Sequence, residues 1–155
     1  FDTGEDPEEI AQWVEANKNK VHHRFYSHDL KYFRRTGRMS GPLATLASAL
    51  HVCPVMRLNK DGKIIADDKA MGKKAAINKI LDILEEHGQG GKDYSDKIFI
   101  SHSESAVEAV MTKKAILERF PKAKEVRVFN IGTIIASHCG PGTVAVYFYG
   151  DERLP

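Results

Sequence analysis

The chain has 155 residues, of which 42% are hydrophobic and 28% charged, a composition typical of one ordinary folded domain rather than a disordered segment. Lysine and arginine number 23 against 21 acidic residues, a net charge of +2 that lacks the strong positive bias of a dedicated nucleic-acid binder. No segment approaches the roughly 20 apolar residues of a membrane span, and no basic-then-apolar signal pattern opens the chain. We therefore expect no integral membrane association.

The first elements are a helix, a strand and a second, short helix. Asp6 can cap a helix whose first turn begins with Pro7, and three residues, Ile10, Trp13 and Val14, then form one apolar face. The segment 21–26 has a β-leaning composition. A short helix is predicted from position 29, with Leu30 and Phe33 buried.

A basic loop follows the second helix. Gly37 ends that helix and Pro42 lies in the first turn of the next one. The junction carries Arg38 and Ser40 beside helix-start N–H groups, which favour anions such as a carboxylate or a phosphate; a solvated basic loop is the alternative. A mostly apolar helix is predicted after the loop from the spacing of Leu43, Leu46, Ala47 and Leu50.

The middle of the chain predicts a hairpin and then a helix. Segments 54–58 and 63–66 flank Asp61-Gly62, a pair that supplies the positive φ angles of a tight connection. Helical spacing then recurs in Ile77, Ile80, Leu81 and Leu84, and a glycine-rich stretch at 88–91 ends that helix.

The last third predicts strand, helix, strand, loop and strand. Strands are expected at 97–101, 125–129 and 144–148, and a helix at 104–120. We expect its inward face to be Val107, Val110, Met111 and Leu117. About six strands with about five helices, including one hairpin, predict an α/β (α+β-like) two-layer sandwich: a mixed sheet covered by helices.

The segment 130–143 is the most unusual one. His138 precedes Cys139-Gly140-Pro141-Gly142, and glycines on both sides of a proline let the backbone approach a ligand closely. We expect His138 to point from this shaped loop; a structural turn with a satisfied histidine is the alternative.

Two motifs together resemble the DegV family of bacterial fatty-acid-binding proteins. The stretch 30–40, with Gly37-Arg38-Met39-Ser40, is similar to a Gly-Arg-Ile-Ser loop of that family, and 131–142, ending in Tyr147-Phe148-Tyr149-Gly150, is similar to its closing His-Thr-Gly-Pro-Gly…Phe-Tyr-Gly pattern. The resemblance covers nearly the whole chain. Thr36 stands in place of a common glycine, Cys139 in place of threonine, and Met71 where many members have arginine.

The resemblance implies a two-lobe carrier without catalysis of its own, which holds a long-chain fatty acid between its lobes and presents the carboxylate to a fatty acid kinase subunit. This chain, residues 1–155, is then a single domain, the C-terminal lobe, without its N-terminal lobe. Its start at Phe1 rather than methionine gives the same expectation of an excised or processed domain.

The resemblance also assigns roles to residues. His138 is expected beside the carboxylate, and Arg38 and Ser40 near the phosphate or the kinase. The ligand-loop backbone is expected at Gly37, Cys139, Gly140, Pro141 and Gly142, and the tunnel wall at Leu43, Leu46, Leu50, Ile134 and Ile135. No cofactor or metal is implied. Cys53 and Cys139, far apart and outside any CxxC pair, favour the reducing cytoplasm.

Three rival interpretations stay open at this point. A metal-dependent hydrolase could draw on seven histidines and two cysteines, although none shows HExxH or CxxC spacing. Cys139 could be a nucleophile with a histidine base. A nucleic-acid-binding or protein-interaction module could use the basic 18–38 segment, with Lys18, Lys20, Arg24, Lys31, Arg34, Arg35 and Arg38 interleaved by Tyr26 and Tyr32.

Overall fold

The computed structural model of the protein describes residues 4, 6–38 and 52–155. Within these residues there are five α-helices and six β-strands. The helices are α1 (Pro7–Asn17), α2 (Lys31–Arg35), α3 (Lys73–His87), α4 (Ala106–Arg119) and α5 (Thr133–Cys139). The strands are β1 (Val21–Ser27), β2 (Val52–Leu58), β3 (Ile64–Met71), β4 (Lys97–Ser103), β5 (Glu125–Asn130) and β6 (Thr143–Tyr149).

All six strands join one mixed sheet in the order β3-β2-β1-β6-β4-β5. The β4–β5 pair is parallel and every other pair is antiparallel. The predicted hairpin is confirmed: β2 and β3 pair with Leu58 opposite Ile64, and Gly62 has a φ of 76° in the turn between them. A mixed sheet covered by helices was the fold expected from the sequence, and it is confirmed.

A bulge in β3 places a carboxylate against the sheet. The register shifts so that Asp68 faces Val55 and Ala66 faces Met56, which leaves Asp67 as the extra residue. Its carboxylate pairs with Arg24 of β1 and, at 2.7 Å from Nε, with Arg57 of β2. Both arginines are buried, and a buried cation needs such a partner.

One side of the sheet, the closed face, is packed by the two long helices. Its strand residues include Tyr26, Val55, Ile98 and Val146, each fully buried. From α3, the predicted apolar residues pack against them, and all four are buried: Ile77, Ile80, Leu81 and Leu84.

The prediction of which side of α4 faces the core is wrong. Its four predicted core residues are 44–71% exposed: Val107, Val110, Met111 and Leu117. The buried side consists of Ala109, Thr112 and Ile116, and Thr112 donates its hydroxyl to the carbonyl of Glu108 at 2.8 Å. Small residues let a helix approach its neighbours closely, so the side with less apolar bulk is the one that packs.

The other side of the sheet, the cavity face, carries Phe25, Met56, Ala145 and Tyr147 and is met by short helices. Phe33 of α2 and Cys139 of α5 are buried there. The expectation of a loop across 130–143 is partly wrong, because residues Thr133–Cys139 form α5 and the turn is confined to 140–142. His138 therefore lies in the last turn of a helix.

The first helix begins as predicted and buries nothing. The side chain of Asp6 accepts a hydrogen bond from the Glu8 amide at 3.0 Å, and Pro7 occupies the first turn. None of its residues is buried, and Trp13 is 62% exposed. None of the helices in the described part of the chain is long and apolar enough to cross a membrane.

A carboxyl-terminal strap, residues 150–154, folds back along the end of the sheet beyond β6. The amide of Asp151 donates to the carbonyl of His87, and that of Arg153 to the carbonyl of Asn19. The carboxylate of Asp151 lies 2.9 Å from a ring nitrogen of both His22 and His87. Hydrogen bonds to β1, to α3 and to the turn before β1 thus hold the strap in place.

Candidate functional site

A cavity of about 550 Å³ lies between the cavity face and the helices α2 and α5. That volume is within the range of small-molecule sites. Most of its lining is aliphatic or aromatic, and the described residues that contribute are His23, Phe25, Phe33, Gly37, Arg38, Leu58, Gly62, Lys63, Ile64, Ile65, Ile131, Ile135, His138, Cys139, Thr143, Ala145 and Tyr147.

The pairing of β1 with β6 defines two ends of the cavity, a near end and a far end. Ser27 pairs with Thr143, whose hydroxyl donates to the carbonyl of Cys139 at 3.1 Å, so this near end adjoins His138. His23 pairs with Tyr147 four residues away along β1, roughly 13 Å at the rise of a strand, and marks the far end. The lining therefore spans about 13 Å along β1, and it also reaches across the sheet to Leu58 of β2 and Ile64 of β3.

His138 presents an unsatisfied ring nitrogen at the near end. Its Nδ1 is buried, and no group in the described part of the chain hydrogen-bonds to it. The backbone carbonyl of His138 lies 3.5 Å from the hydroxyl of Thr36 at the end of α2. A buried polar atom without a hydrogen-bond partner costs free energy. A ligand atom that hydrogen-bonds to Nδ1 would remove this cost, which favours binding.

The glycines after His138 serve packing between elements of the protein. A Cβ on Gly140 would lie 2.2 Å from the Tyr32 ring, and one on Gly142 would lie 2.0 Å from the His28 ring. Both glycines have positive φ, 71° and 85°. The close approach expected from the sequence is thus made to Tyr32 and His28, and it seats the turn 140–142 against α2 and the residues before it.

Arg38 lies at the rim of the near end. Gly37 ends α2 with a φ of 68°, and the amide of Arg38 donates to the carbonyl of Phe33 at 2.8 Å, as in a glycine-terminated helix. The Arg38 side chain is exposed and donates to the carbonyl of Thr36 at 3.2 Å. Its guanidinium is therefore available near the cavity and has no carboxylate partner among the described residues.

The other predicted site residues divide into three groups. Ser40, Leu43, Leu46 and Leu50 lie outside the described residues. Cys139 and Ile135 line the cavity, although Ile135 is 60% exposed. Ile134 is 75% exposed and does not contribute to the lining.

The far end carries polar groups that sequence reasoning did not single out. Nδ1 of His23 accepts from the guanidinium of Arg153 at 3.3 Å. Burial, assisted by the Arg153 charge, lowers the pKa of His23 from its ordinary 6.5 to about 4, so the ring is neutral near pH 7. Tyr147 stands edge-on to this ring and shares a 2.8 Å hydrogen bond with the hydroxyl of Ser101.

The lining of the strands was missed because its signal is weak. Phe25 and His23 alternate on β1, as Ala145 and Tyr147 do on β6, and period two is the pattern of one sheet face. Both faces of these strands are covered, however. On β6 the residue between the two cavity residues, Val146, is as apolar as they are, and on β1 the corresponding residue, Arg24, is buried despite its charge. Neither the apolar run of β6 nor the mixed sequence of β1 reveals which face borders a cavity.

Among the described residues, the cysteines and histidines do not form the enzymatic sites considered from the sequence. Burial raises the pKa of the Cys139 thiol, and raises that of Cys53 to about 11, whereas a nucleophilic cysteine needs a lowered pKa. No three histidine, cysteine or acidic side chains in the described residues come together as metal ligands.

The basic 18–38 segment does not present one surface. Arg24 is buried in its ion pair with Asp67. Lys31 pairs with Asp29 at 3.1 Å, and the guanidinium of Arg35 stacks over the ring of Tyr32. The positive charges of this segment are thus divided between the closed face and separate surface contacts.

Comparison with known proteins gives consistent matches over nearly the whole chain. A family model described as "Uncharacterised protein, DegV family" matches residues 1–151. A DegV domain-containing protein of Clostridium perfringens is 35% identical over 152 residues, which cover 98% of this chain and 51% of that relative. The chain spans about half the length of the curated relatives it matches.

Solved structures share the fold. A DegV family protein from Thermus thermophilus, described for its fatty acid binding, superposes with a TM-score of 0.84 at 28% identity over 97% of this chain and 52% of that one. The Streptococcus pneumoniae fatty acid kinase B3 protein, loaded with linoleic acid, gives a TM-score of 0.83 at 19% identity over 97% and 52% of the two chains. At that identity the second likeness concerns the fold alone.

Proposed function

The chain belongs to the DegV family, and from that premise we propose that it forms one lobe of a carrier that binds a long-chain fatty acid. The observation that carries the proposal is the mainly apolar cavity of about 550 Å³ with one unsatisfied histidine nitrogen at its near end. A fatty acid has the same division into a long apolar tail and a single polar head.

The head of the ligand is assigned to His138. A carboxylate oxygen of the ligand accepts a hydrogen bond from Nδ1–H. It becomes the partner of this buried nitrogen, which has none among the described residues. A hydrogen bond to a charged group contributes roughly 1.5–3 kcal/mol. The exposed guanidinium of Arg38 at the same rim adds positive potential for an anion.

The tail is assigned to the cavity face. Burial of a methylene contributes about 0.8 kcal/mol, so a tail of about 15 carbons gains on the order of 10 kcal/mol before the costs of ordering are subtracted. Phe25, Phe33, Ile131 and Ala145 provide the apolar contacts. Affinity then resides mainly in the tail, and selection of an acid resides in the head.

A second lobe completes the site in this proposal. The relatives are about twice as long as this chain, and α1 buries none of its residues while Trp13 and Val14 stay 62% and 47% exposed. Helices as short as α1 are marginal without packing. Contact with a further lobe would bury the apolar face of α1.

The bound carboxylate is presented to a fatty acid kinase subunit. Support comes from the family resemblance around Arg38 and from the fold shared with the pneumococcal fatty acid kinase B3 protein. The carrier performs no chemistry itself in this scheme, in keeping with the raised thiol pKa of Cys139. Met71, which replaces a family arginine, is 70% exposed, so it is available to the partner but contributes no charge.

The two free thiols agree with a reducing cytoplasm.

Mass spectrometry of organic extracts tests the proposal. The protein is purified with its other lobe from a heterologous host, as wild type, as His138→Ala and as the control His102→Ala, whose histidine does not line the cavity. We expect a stoichiometric long-chain fatty acid in wild type and control, and a reduced amount in His138→Ala. An empty wild type that also fails to take up added fatty acid would refute the carrier function.

A further inference from the structure

The far end of the cavity carries a polar contact behind its lining. His23 lies there with Tyr147, Leu58, Lys63 and Ile64 as the last lining residues. His23 is half-buried, and Arg153, which does not itself line the cavity, approaches its Nδ1 at 3.3 Å. An arginine stays protonated in proteins, whereas His23 accepts from it and is therefore neutral. A charged guanidinium thus lies directly behind an uncharged ring at the end of the apolar space.

The strap holds Arg153 in this position. Its amide donates to the carbonyl of Asn19, and its guanidinium donates to the side chain of the same residue at 3.1 Å. The next residue, Leu154, accepts from the guanidinium of Arg57 at 2.9 Å and from the amide of Lys60 at 3.3 Å. Contacts on both sides of Arg153 therefore anchor it to the body of the domain.

We propose that His23 and Arg153 together determine the length of acyl chain that the cavity accepts. The inference rests on the proposed function and adds a specificity-determining pair at the end opposite His138. A tail that stops before His23 has its methyl group among apolar side chains. A longer tail displaces the ring and desolvates the guanidinium behind it, and desolvation of a charge is costly.

The size of the discrimination follows from the burial of methylenes. Each methylene that enters an apolar space improves the dissociation constant about fourfold, and one that is excluded gains nothing. Two additional carbons therefore change affinity on the order of tenfold. Since the pair acts at the methyl end, it changes preference among chain lengths without affecting recognition of the carboxylate.

The test is a binding profile over saturated acids, from lauric through myristic, palmitic and stearic to arachidic acid, by competition with a fluorescent fatty acid. The protein carrying both lobes is measured as wild type, His23→Leu and Arg153→Leu. The control is Arg127→Leu, which removes an exposed arginine from β5 that pairs with Glu125 and does not line the cavity. Arg153→Lys restores a cation and serves as the conservative variant.

We expect both leucine variants to move the preferred length upward by about two carbons, with on the order of tenfold gain in the ratio of long-chain to short-chain affinity. Affinity for the shortest bound acid should stay within about twofold of wild type. Arg127→Leu should keep the wild-type profile, and Arg153→Lys should return towards it.

Three results would overturn the inference, and they differ in what else they affect. Unchanged profiles in both leucine variants, with wild type still binding, would remove the length-setting role and leave the carrier function intact. Absence of binding by wild type at every chain length would remove both. A uniform loss across all lengths would show a structural role for the pair and also refute length selection.

Discussion

The two faces of the sheet are built from the same six strands and differ in what covers them. The closed face is packed by two long helices, and its residues Tyr26, Val55 and Val146 are fully buried. The cavity face is met in the described chain by helices of five and seven residues, α2 and α5, and a space of about 550 Å³ remains. One face is therefore filled by core packing, and the other borders an open space.

Neighbouring histidines on β1 show the same division. The ring of His22 lies on the closed face, stacked at 4.8 Å on Phe148 and hydrogen-bonded to Asp151. The ring of His23 lies on the cavity face beside Tyr147 and Arg153. Because side chains alternate along a strand, adjacent residues of one type have a structural role on one side and line the cavity on the other.

Removal of the bulge carboxylate should give the largest effect. Asp67→Asn leaves Arg24 and Arg57 buried without their counter-charge, and the loss of one partner of a buried pair costs about 3–5 kcal/mol. Urea unfolding of this chain measures the change. Asp68→Asn, whose pair with Lys79 is at the surface, should cost less than about 1 kcal/mol; equal losses would contradict the assignment.

Truncation of a core residue on the closed face should come next. Ile80→Ala removes a fully buried side chain of α3 and should lower the free energy of unfolding by about 2–5 kcal/mol. Ile134→Ala on α5, where the side chain is 75% exposed, should change it by less than about 0.5 kcal/mol. Similar values for the two variants would mean that the faces do not differ in packing.

The turn after α5 gives an intermediate effect on the cavity face. Gly140→Ala places a Cβ 2.2 Å from the Tyr32 ring at a φ of 71°, and we expect a loss of about 1–3 kcal/mol. The control is Gly132→Ala, where a Cβ has nothing within 4 Å and φ is −61°. The additional change Tyr32→Ala should restore part of the loss; no recovery would place the strain elsewhere.

The smallest effect concerns pH. Burial lowers the pKa of His23 from 6.5 to about 4, so the unfolded chain binds a proton in that range that the folded chain resists. The stability that the neutral ring contributes is fully present above pH 6.5 and decreases as the pH falls towards 4. The change in pKa corresponds to roughly 3 kcal/mol for a fully buried ring, and because His23 is only half-buried we expect a loss of about 1–2 kcal/mol. The buried His22, whose pKa is also lowered, adds to the decrease.

His23→Gln should remove part of this pH dependence, as followed by urea unfolding from about pH 7 to about pH 4. His102→Gln is the matched control and should keep the wild-type slope. If the His23 variant keeps that slope as well, the ring is not held neutral by burial.

The order of strands and helices could be predicted because local signals agree with it. The Asp6-Pro7 start, the Asp61-Gly62 turn and the apolar repeat of α3 each correspond to an observed element. The orientation of α4 could not be predicted. The side of α4 with the larger apolar residues is predicted to be buried, but the side with Ala109 and Thr112 packs against the sheet instead. Which side packs depends on neighbours that are distant in sequence.

The candidate site was predictable only at its near end. Two short motifs can be recognised before any fold is known, because their residue combinations are unusual: Arg38 after Gly37, and His138 followed by the glycines around Pro141. His23 and Arg153 meet through strand pairing and the strap, across most of the chain. Sequence spacing carries no signal for such a contact.

The most direct test of the central claim is nuclear magnetic resonance of the imidazole nitrogens in the two-lobe protein, with labelled histidine, during addition of palmitic acid. We predict that the ring nitrogens of His138 shift on binding as Nδ1 gains a carboxylate partner, while those of His102 do not. Binding of palmitic acid without any change at His138 would contradict the account, because the head of the ligand would then lie elsewhere.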